Sequence, residues 1–317
     1  MRILFVTSTR IGDAVLSTGL LDRLIRAHPG AAVTIACGPP AAPLFEAVPG
    51  LERVLVMEKR PFARHWLALW RQAAATRWEV IVDLRGSPVT ALLRHGRRHA
   101  WRPRRTDEHR VVQLSRLLGL DSPAMPRLWT APRHEDEARR RMPPGGPVLA
   151  LGPTANWPGK EWPADRFAAL AERLTAPDGP LAGARIAVLG GPGERATARP
   201  LLDALAPDRA IDLIGTELLV TFACLGRAAL YVGNDSGLMH LAAASGAPTL
   251  GLFGPTRDVH YAPFGPRCAV VRTPESAEAL LPPGSDVNTT GNLMGGLTVA
   301  AVEAAARGLL ARAGAAA

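Results

Sequence analysis

The chain has 317 residues, of which 47% are hydrophobic, 5% aromatic and 21% charged, with a formal net charge of +9. That composition is too apolar for a disordered chain, no apolar run reaches the roughly 18 residues of a spanning helix, and residues 3–6 are too short for a secretion-signal core. The length suits two domains of roughly 150 residues, and the expectation is a compact, soluble, cytoplasmic protein.

The positive charge is almost all arginine, with Lys59 and Lys160 the only lysines, in a chain rich in Ala, Gly and Pro. Such a bias follows genome composition as readily as function, so no nucleic-acid partner is inferred. An anionic substrate or membrane surface stays compatible with it. Cys37, Cys224 and Cys268 are odd in number and far apart, which fits neither a disulfide framework nor a zinc site; they read as small buried residues.

In chain order, residues 2–7 form an apolar strand, and 13–27 carry Val15, Leu16, Leu20, Leu24 and Ile25, the stripe of a helix. Segments 33–36, 54–57 and 79–84 are further short strands, with 64–76 helical between the last two. Apolar strands alternating with helices predict a doubly wound parallel α/β domain. The link Thr7-Ser8-Thr9-Arg10-Ile11-Gly12-Asp13 lies at the sheet end where ligands bind. Asp13 there reads either as a helix N-cap or as a general base on a hydroxyl, with the helix dipole lowering its pKa and burial opposing that. Farther on, RHGRRHAWRPRRTDEHR at 94–110 gathers Arg97, Arg98, Arg104 and Arg105 around Trp101. It reads as a solvated face, a grip on an anionic acceptor or a surface that rests on a membrane.

Prolines at 123, 126, 132, 143, 144 and 147 around the charged run 133–141 mark an interdomain connection, dividing the chain into 1–142 and 143–317. The alternation then restarts: strands at 148–152, 185–189 and 211–214, helices at 164–174, 194–205 and 218–227, then strand 229–232, a helix that opens with Asn234-Asp235-Ser236-Gly237, and strand 248–253. An Ala-rich helix at 299–310 is a candidate to pack back across the first domain. Two successive Rossmann-like domains are expected to face each other across a ligand cleft.

In Gly233-Asn234-Asp235-Ser236-Gly237-Leu238-Met239-His240, a helix opens directly after a strand, where free N–H groups and the dipole favour an anion. Gly237 allows close backbone approach, Ser236 can cap or donate, and His240 follows one turn later on the same face. The arrangement suits a diphosphate, while plain capping by Asp235 and Ser236 with a surface or core histidine is the alternative. The loop from Gly152 to Pro163 superficially looks like a P-loop, but its spacing is too long and Glu161 stands where Ser or Thr is required. Lys160 in that loop is either a point charge for a phosphate or a solvated lysine. The glycine-rich turn at 189–194 fails the dinucleotide pattern, and the first strand lacks Gly-x-Gly-x-x-Gly, which disfavours a nicotinamide oxidoreductase. No Asp-x-Asp pair is present to hold a divalent cation, so a metal-free mechanism is expected.

Taken in order, Arg10-Ile11-Gly12-Asp13, Gly159-Lys160-Glu161-Trp162-Pro163, and Asn234-Asp235-Ser236-Gly237-Leu238-Met239-His240 followed by Leu252-Phe253-Gly254-Pro255-Thr256 resemble glycosyltransferase family 9, the bacterial lipopolysaccharide heptosyltransferases. The resemblance implies a GT-B fold and inverting transfer of a sugar from a nucleotide diphosphate, with ADP-heptose the donor and an anionic glycolipid of the lipopolysaccharide inner core the acceptor. It implies Asp13 as catalytic base and Lys160, Asp235, Ser236, Gly237 and His240 as donor-binding residues. Thr154 and Glu194, on turns of the second half, join the donor candidates; Arg10, Arg85, Ser87, Arg97 and Arg98 are acceptor candidates. Neither cofactor nor metal is expected, and the protein is placed in the cytoplasm, with peripheral contact at the inner membrane. Asn288, Thr289, Thr290 and Asn292 in the segment 285–297 have no counterpart in the family pattern. A different nucleotide sugar or glycan on the same fold, or a non-catalytic shell that binds an anionic lipid or partner, are the alternative readings.

Overall fold

The computed structural model describes residues 1–59, 61–103, 106–287 and 290–315; Arg104, Arg105, Asn288 and Thr289 lie outside the described residues. The chain forms two compact units, Met1–Ala131 and Pro132–Ala317.

The first unit runs β1 (Arg2–Val6), α1 (Ile11–Ala27), β2 (Ala32–Cys37), β3 (Leu51–Val56), α2 (Arg64–Ala73), β4 (Trp78–Asp83), β5 (His95–Ala100) and α3 (Arg110–Leu117). Its strands form one parallel sheet in the order β3-β2-β1-β4-β5. Ile3, Leu4, Phe5 and Val6 are all fully buried although successive side chains alternate faces, so both sides of the central strand are covered. The chain winds outward through β2 and β3 in one direction and through β4 and β5 in the other. The β1 and β4 loops therefore flank a topological switch point, the usual ligand position in such sheets.

The second unit opens with α4 (Pro132–Arg141), then β6 (Val148–Gly152), α5 (Ala164–Thr175), β7 (Arg185–Gly190), α6 (Arg195–Asp203), β8 (Ala210–Ile214) and α7 (Leu218–Leu225). It continues with β9 (Leu230–Asn234), α8 (Gly237–Ser245), β10 (Thr249–Phe253), α9 (Asp258–Tyr261), β11 (Cys268–Arg272), α10 (Ala277–Leu280) and α11 (Val299–Ala315). The sheet order is β11-β10-β9-β6-β7-β8, all parallel, with the switch point between β6 and β9.

Several elements differ from the sequence expectation. The division falls after Ala131 rather than Met142, because the charged run read as a connection is the helix α4, which packs on α7. Strand β5 has the polar sequence HGRRHA; at the sheet edge it pairs with β4 alone, and no buried apolar run announces it. Helix α11 packs on α5, β9, β10 and β11 of its own unit, where Val302, Ala306 and Leu309 join Leu149, Phe167 and Leu250 in one core. Cys37 and Cys224 are buried, and burial pushes their thiols up to about 12 and about 11, so they are inert core groups.

Candidate active site

At the switch point of the second unit, Ser236 is the N-cap of α8 in an extended conformation (φ −148°, ψ 172°), yet its hydroxyl makes no capping bond. The first-turn N–H groups of α8 therefore keep their capacity for an external acceptor. Beside them the Lys160 ammonium donates to the Asp235 carbonyl at 2.7 Å and to Asp235 Oδ2 at 3.1 Å. Lysine and aspartate are 8% and 9% exposed, so the pair is nearly dry. Thr256, from the turn after β10, donates to the same carboxylate oxygen at 2.9 Å. Among the described residues Asp235 alone thus takes up two of the three N–H donors of Lys160, which leaves one for a ligand.

The frame around this pair is hydrogen-bonded throughout. Asn234, fully buried at the end of β9, accepts from the Trp162 N–H at 3.1 Å and donates to the Pro153 carbonyl at 2.7 Å. Those two bonds clamp both ends of the Lys160 loop to the strand that leads into α8. The segment after α10 adds a strap. Asn292 donates to the Glu161 carbonyl, and the Leu293 N–H to Gly159 O at 3.2 Å. Trp162 Nε1 and Arg166 donate to the Leu297 carbonyl at 2.8 and 2.6 Å. Residues 292–297, unassignable from sequence, therefore hold the lysine loop in place.

Thr154, at the end of β6, donates to Glu194 Oε2 at 2.6 Å, and the Gly191 N–H donates to the same oxygen at 2.7 Å. Glu161 accepts from the Ala155 N–H at 3.2 Å; burial raises its carboxyl above the ordinary range, and the charge of Glu194 adds to that. His240 is buried one turn into α8, its ring 6.5 Å from that of Tyr261. In the second unit the structure brings together Lys160, Asp235, Ser236 and Gly237, with Thr154 and Glu194 forming a second bonded cluster on neighbouring turns.

At the switch point of the first unit, the N-cap of α1 is Arg10, so Asp13 is the third helical residue and not the cap. Asp13 is half-buried, and among the described residues its carboxylate makes no hydrogen bond or ion pair. Arg10 is exposed, also without a side-chain partner among the described residues. Across the switch point, buried Asp83 organises the loop after β4. It accepts from the N–H groups of Arg85 and Ser87, both at 2.9 Å, and from the Thr90 hydroxyl at 2.6 Å. Arg98 turns inward on this loop, donating to Thr90 Oγ1 and Ser87 O at 2.9 Å each and lying 3.8 Å from Asp83. Ser87 spends its hydroxyl accepting from the Val89 N–H at 3.2 Å. Arg85 is exposed, its guanidinium 5.5 Å from the Trp66 ring centre. Arg97 instead lines a shallow pocket with Met1, His28 and Arg77 at the amino end of the sheet, away from the switch-point loops.

Sequence reasoning assigned no role to Asp83, or to Asn234 within its motif. Each is a polar residue closing an apolar strand run, a pattern that marks both. Thr256 closes the Leu252–Thr256 motif, and its role rests on its bond to Asp235 alone.

The family model described as glycosyltransferase family 9 (heptosyltransferase) matches residues 91–281, more than half of the chain. The chain is 23% identical over 313 residues to lipooligosaccharide heptosyltransferase 2 of Haemophilus ducreyi, a match covering 86% of this chain and 88% of that protein. It is 30% identical over 131 residues to lipooligosaccharide heptosyltransferase 2 of Haemophilus influenzae, a stretch that spans 40% of this chain and only 36% of that relative. A glycosyl transferase family 9 structure from Veillonella parvula superposes with a TM-score of 0.80 at 19% identity, covering 98% of this chain and 97% of the other. The E. coli ADP-heptose lps heptosyltransferase II does so with a TM-score of 0.75 at 20% identity, covering 99% and 100%. Both share the GT-B architecture of two parallel-sheet α/β domains.

Proposed function

The chain belongs to glycosyltransferase family 9, the heptosyltransferases, and from that premise we propose that it moves a heptose from ADP-heptose to a lipopolysaccharide inner-core acceptor, with inversion and without a metal. The observation that carries the donor side is the Lys160–Asp235 pair at the open mouth of α8. An ammonium held in a dry setting, with one N–H left over and a helix N-terminus beside it, stabilises charge that grows on a departing diphosphate. Asp235, whose carboxylate faces the lysine, acts by holding that ammonium in place. Ser236 and Gly237 supply hydrogen bonds and close approach, and His240 shapes the buried side of the mouth. Thr154 and Glu194 offer polar groups to the rest of the nucleotide.

In the proposed step Asp13 accepts the proton of the acceptor hydroxyl as that oxygen bonds to the anomeric carbon. The bond from that carbon to the diphosphate oxygen breaks on the opposite face, and its electron pair leaves with ADP. A carboxylate with both oxygens uncommitted suits a general base. Arg10 and Arg85 are the exposed cations for an anionic acceptor. Ser87 and Arg98 serve it by fixing the β4 loop, and Arg97 by its charge alone. Peripheral contact with the cytoplasmic face of an anionic membrane draws support from α2: Leu67 and Trp70 are exposed beside Arg64 and Arg71, and Phe62 stands out just ahead.

Calorimetric titration with ADP, UDP and GDP in the presence of EDTA tests the donor. Selective, EDTA-resistant ADP binding is expected. Preference for UDP or GDP would replace the donor, a requirement for added cation would end the metal-free reading, and binding of none would leave a non-catalytic shell.

A further inference from the structure

Tyr231 lies in β9, two residues ahead of Gly233, and is completely buried. Its ring runs along the sheet toward the carboxyl edge, over Gly233 and over Gly152, the last residue of β6 and the partner of Gly233 in register. A Cβ on either glycine would collide with the tyrosine hydroxyl. The two glycines thus open a groove that delivers this hydroxyl to the mouth of α8.

Packing alone does not account for a tyrosine here, because phenylalanine would fill the same groove without burying a polar atom. Both Tyr231 Oη and Ser236 Oγ are shielded from solvent, and neither makes a hydrogen bond of ordinary geometry. Buried hydroxyls are normally bonded, so an unsatisfied pair at one spot calls for a reason. The two are close enough to interact: burial drives the Tyr231 phenol far above its usual range, and the Ser236 hydroxyl partly opposes this. The phenol therefore stays protonated, and it is a donor.

We propose that Tyr231 is a positioning residue for Ser236: its O–H donates to the serine oxygen and turns the serine O–H toward an anionic phosphate oxygen of a nucleoside diphosphate at the α8 mouth. The inference rests on the reading of that mouth as the diphosphate site. An incoming oxygen would supply the acceptor that the Ser236 hydroxyl lacks, and the two buried hydroxyls would then form one chain of hydrogen bonds ending on the ligand.

The test is calorimetric ADP titration of the full chain, its Tyr231→Phe, Ser236→Ala and double variants, with melting temperatures for each. Tyr231→Phe should weaken ADP binding about 3- to 10-fold while the melting temperature holds or rises, since the ring still fills the groove. Ser236→Ala should weaken binding at least as much, and the double variant should bind no worse than Ser236→Ala alone, because the tyrosine acts through the serine. Unchanged affinity in Tyr231→Phe, additive losses in the double variant, or weaker binding accompanied by a lower melting temperature would each overturn the inference and leave the donor reading standing. If the wild-type protein fails to bind ADP, both fall together.

Discussion

The two helices that open at the switch points, α1 in the first unit and α8 in the second, begin alike. Each follows a central parallel strand and exposes a helix N-terminus whose cap residue makes no side-chain capping bond. Their surroundings diverge. Around α8, Lys160 and Thr256 are bonded to Asp235, Asn234 is bonded to both ends of the Lys160 loop, and the strap at 292–297 is bonded to that same loop. Around α1, Asp13 and Arg10 have side chains that no described residue engages. The contrast follows from what each chemistry requires. A site that stabilises charge on a leaving group works only if its dipoles and cations are fixed beforehand, whereas a carboxylate that takes a proton needs its lone pairs free.

The contrast can be broken most directly at Asp13. Asp13→Asn should lower turnover about 10²- to 10⁴-fold with ADP affinity unchanged, read from steady-state rates beside calorimetry; a near-wild-type rate would remove the base from α1. On the other side, Lys160→Ala should weaken ADP binding by on the order of 1.5–3 kcal/mol. It should also lower the melting temperature, because Asp235 is left buried and unpaired. Unchanged ADP affinity would mean that the lysine serves only the frame. Asn234→Ala sharpens the claim that the α8 mouth is held rigidly: chemical denaturation should record a loss of about 1–3 kcal/mol from the two bonds it removes.

Within the first unit, Arg98→Ala should cost about 1–2 kcal/mol of stability, while Arg97→Ala should stay within about 0.5 kcal/mol. Equal effects would erase the distinction between an inward and an outward arginine. The smallest effect is a pH dependence. The Glu161 carboxyl is raised in the folded state, so the protonated form is favoured there. Its contribution to stability is therefore greatest at acid pH and declines as pH rises from the ordinary glutamate range through the raised value. Glu161→Gln should raise the melting temperature at neutral pH, on the order of 1 °C, and the gain should vanish in acid; a pH-independent difference would contradict the burial argument.

Much of the fold was legible where strands are buried. β1, β4, β6, β9 and β10 read as apolar runs because water is excluded from both their faces. β5, a sheet-edge strand of sequence HGRRHA, lacks that signature, β11 is a short apolar run with no strand assigned to it from sequence, and α4 is so charged that its pattern resembles a connection. In the site, Lys160, Asp235 and Ser236 were singled out because their residue types at a strand-to-helix turn suit an anion. That Asp235 faces the lysine was not legible, since 75 positions separate them and only the β6–β9 pairing brings their loops together.

The sequence by itself determined which segments are strands and helices where burial is two-sided, the order in which two α/β domains follow one another, and which turns carry anion-binding residue types. These are properties of local pattern and spacing. Only the tertiary structure decided that Arg98 turns inward onto the β4 loop while its neighbour Arg97 lines a separate pocket with Met1, His28 and Arg77. It alone decided that residues 292–297 strap the lysine loop, and that Tyr231 reaches the mouth of α8 through a groove made by two glycines. Each of these depends on which distant strands become neighbours, and long-range pairing is set by the packing of the whole sheet, not by any window of the chain.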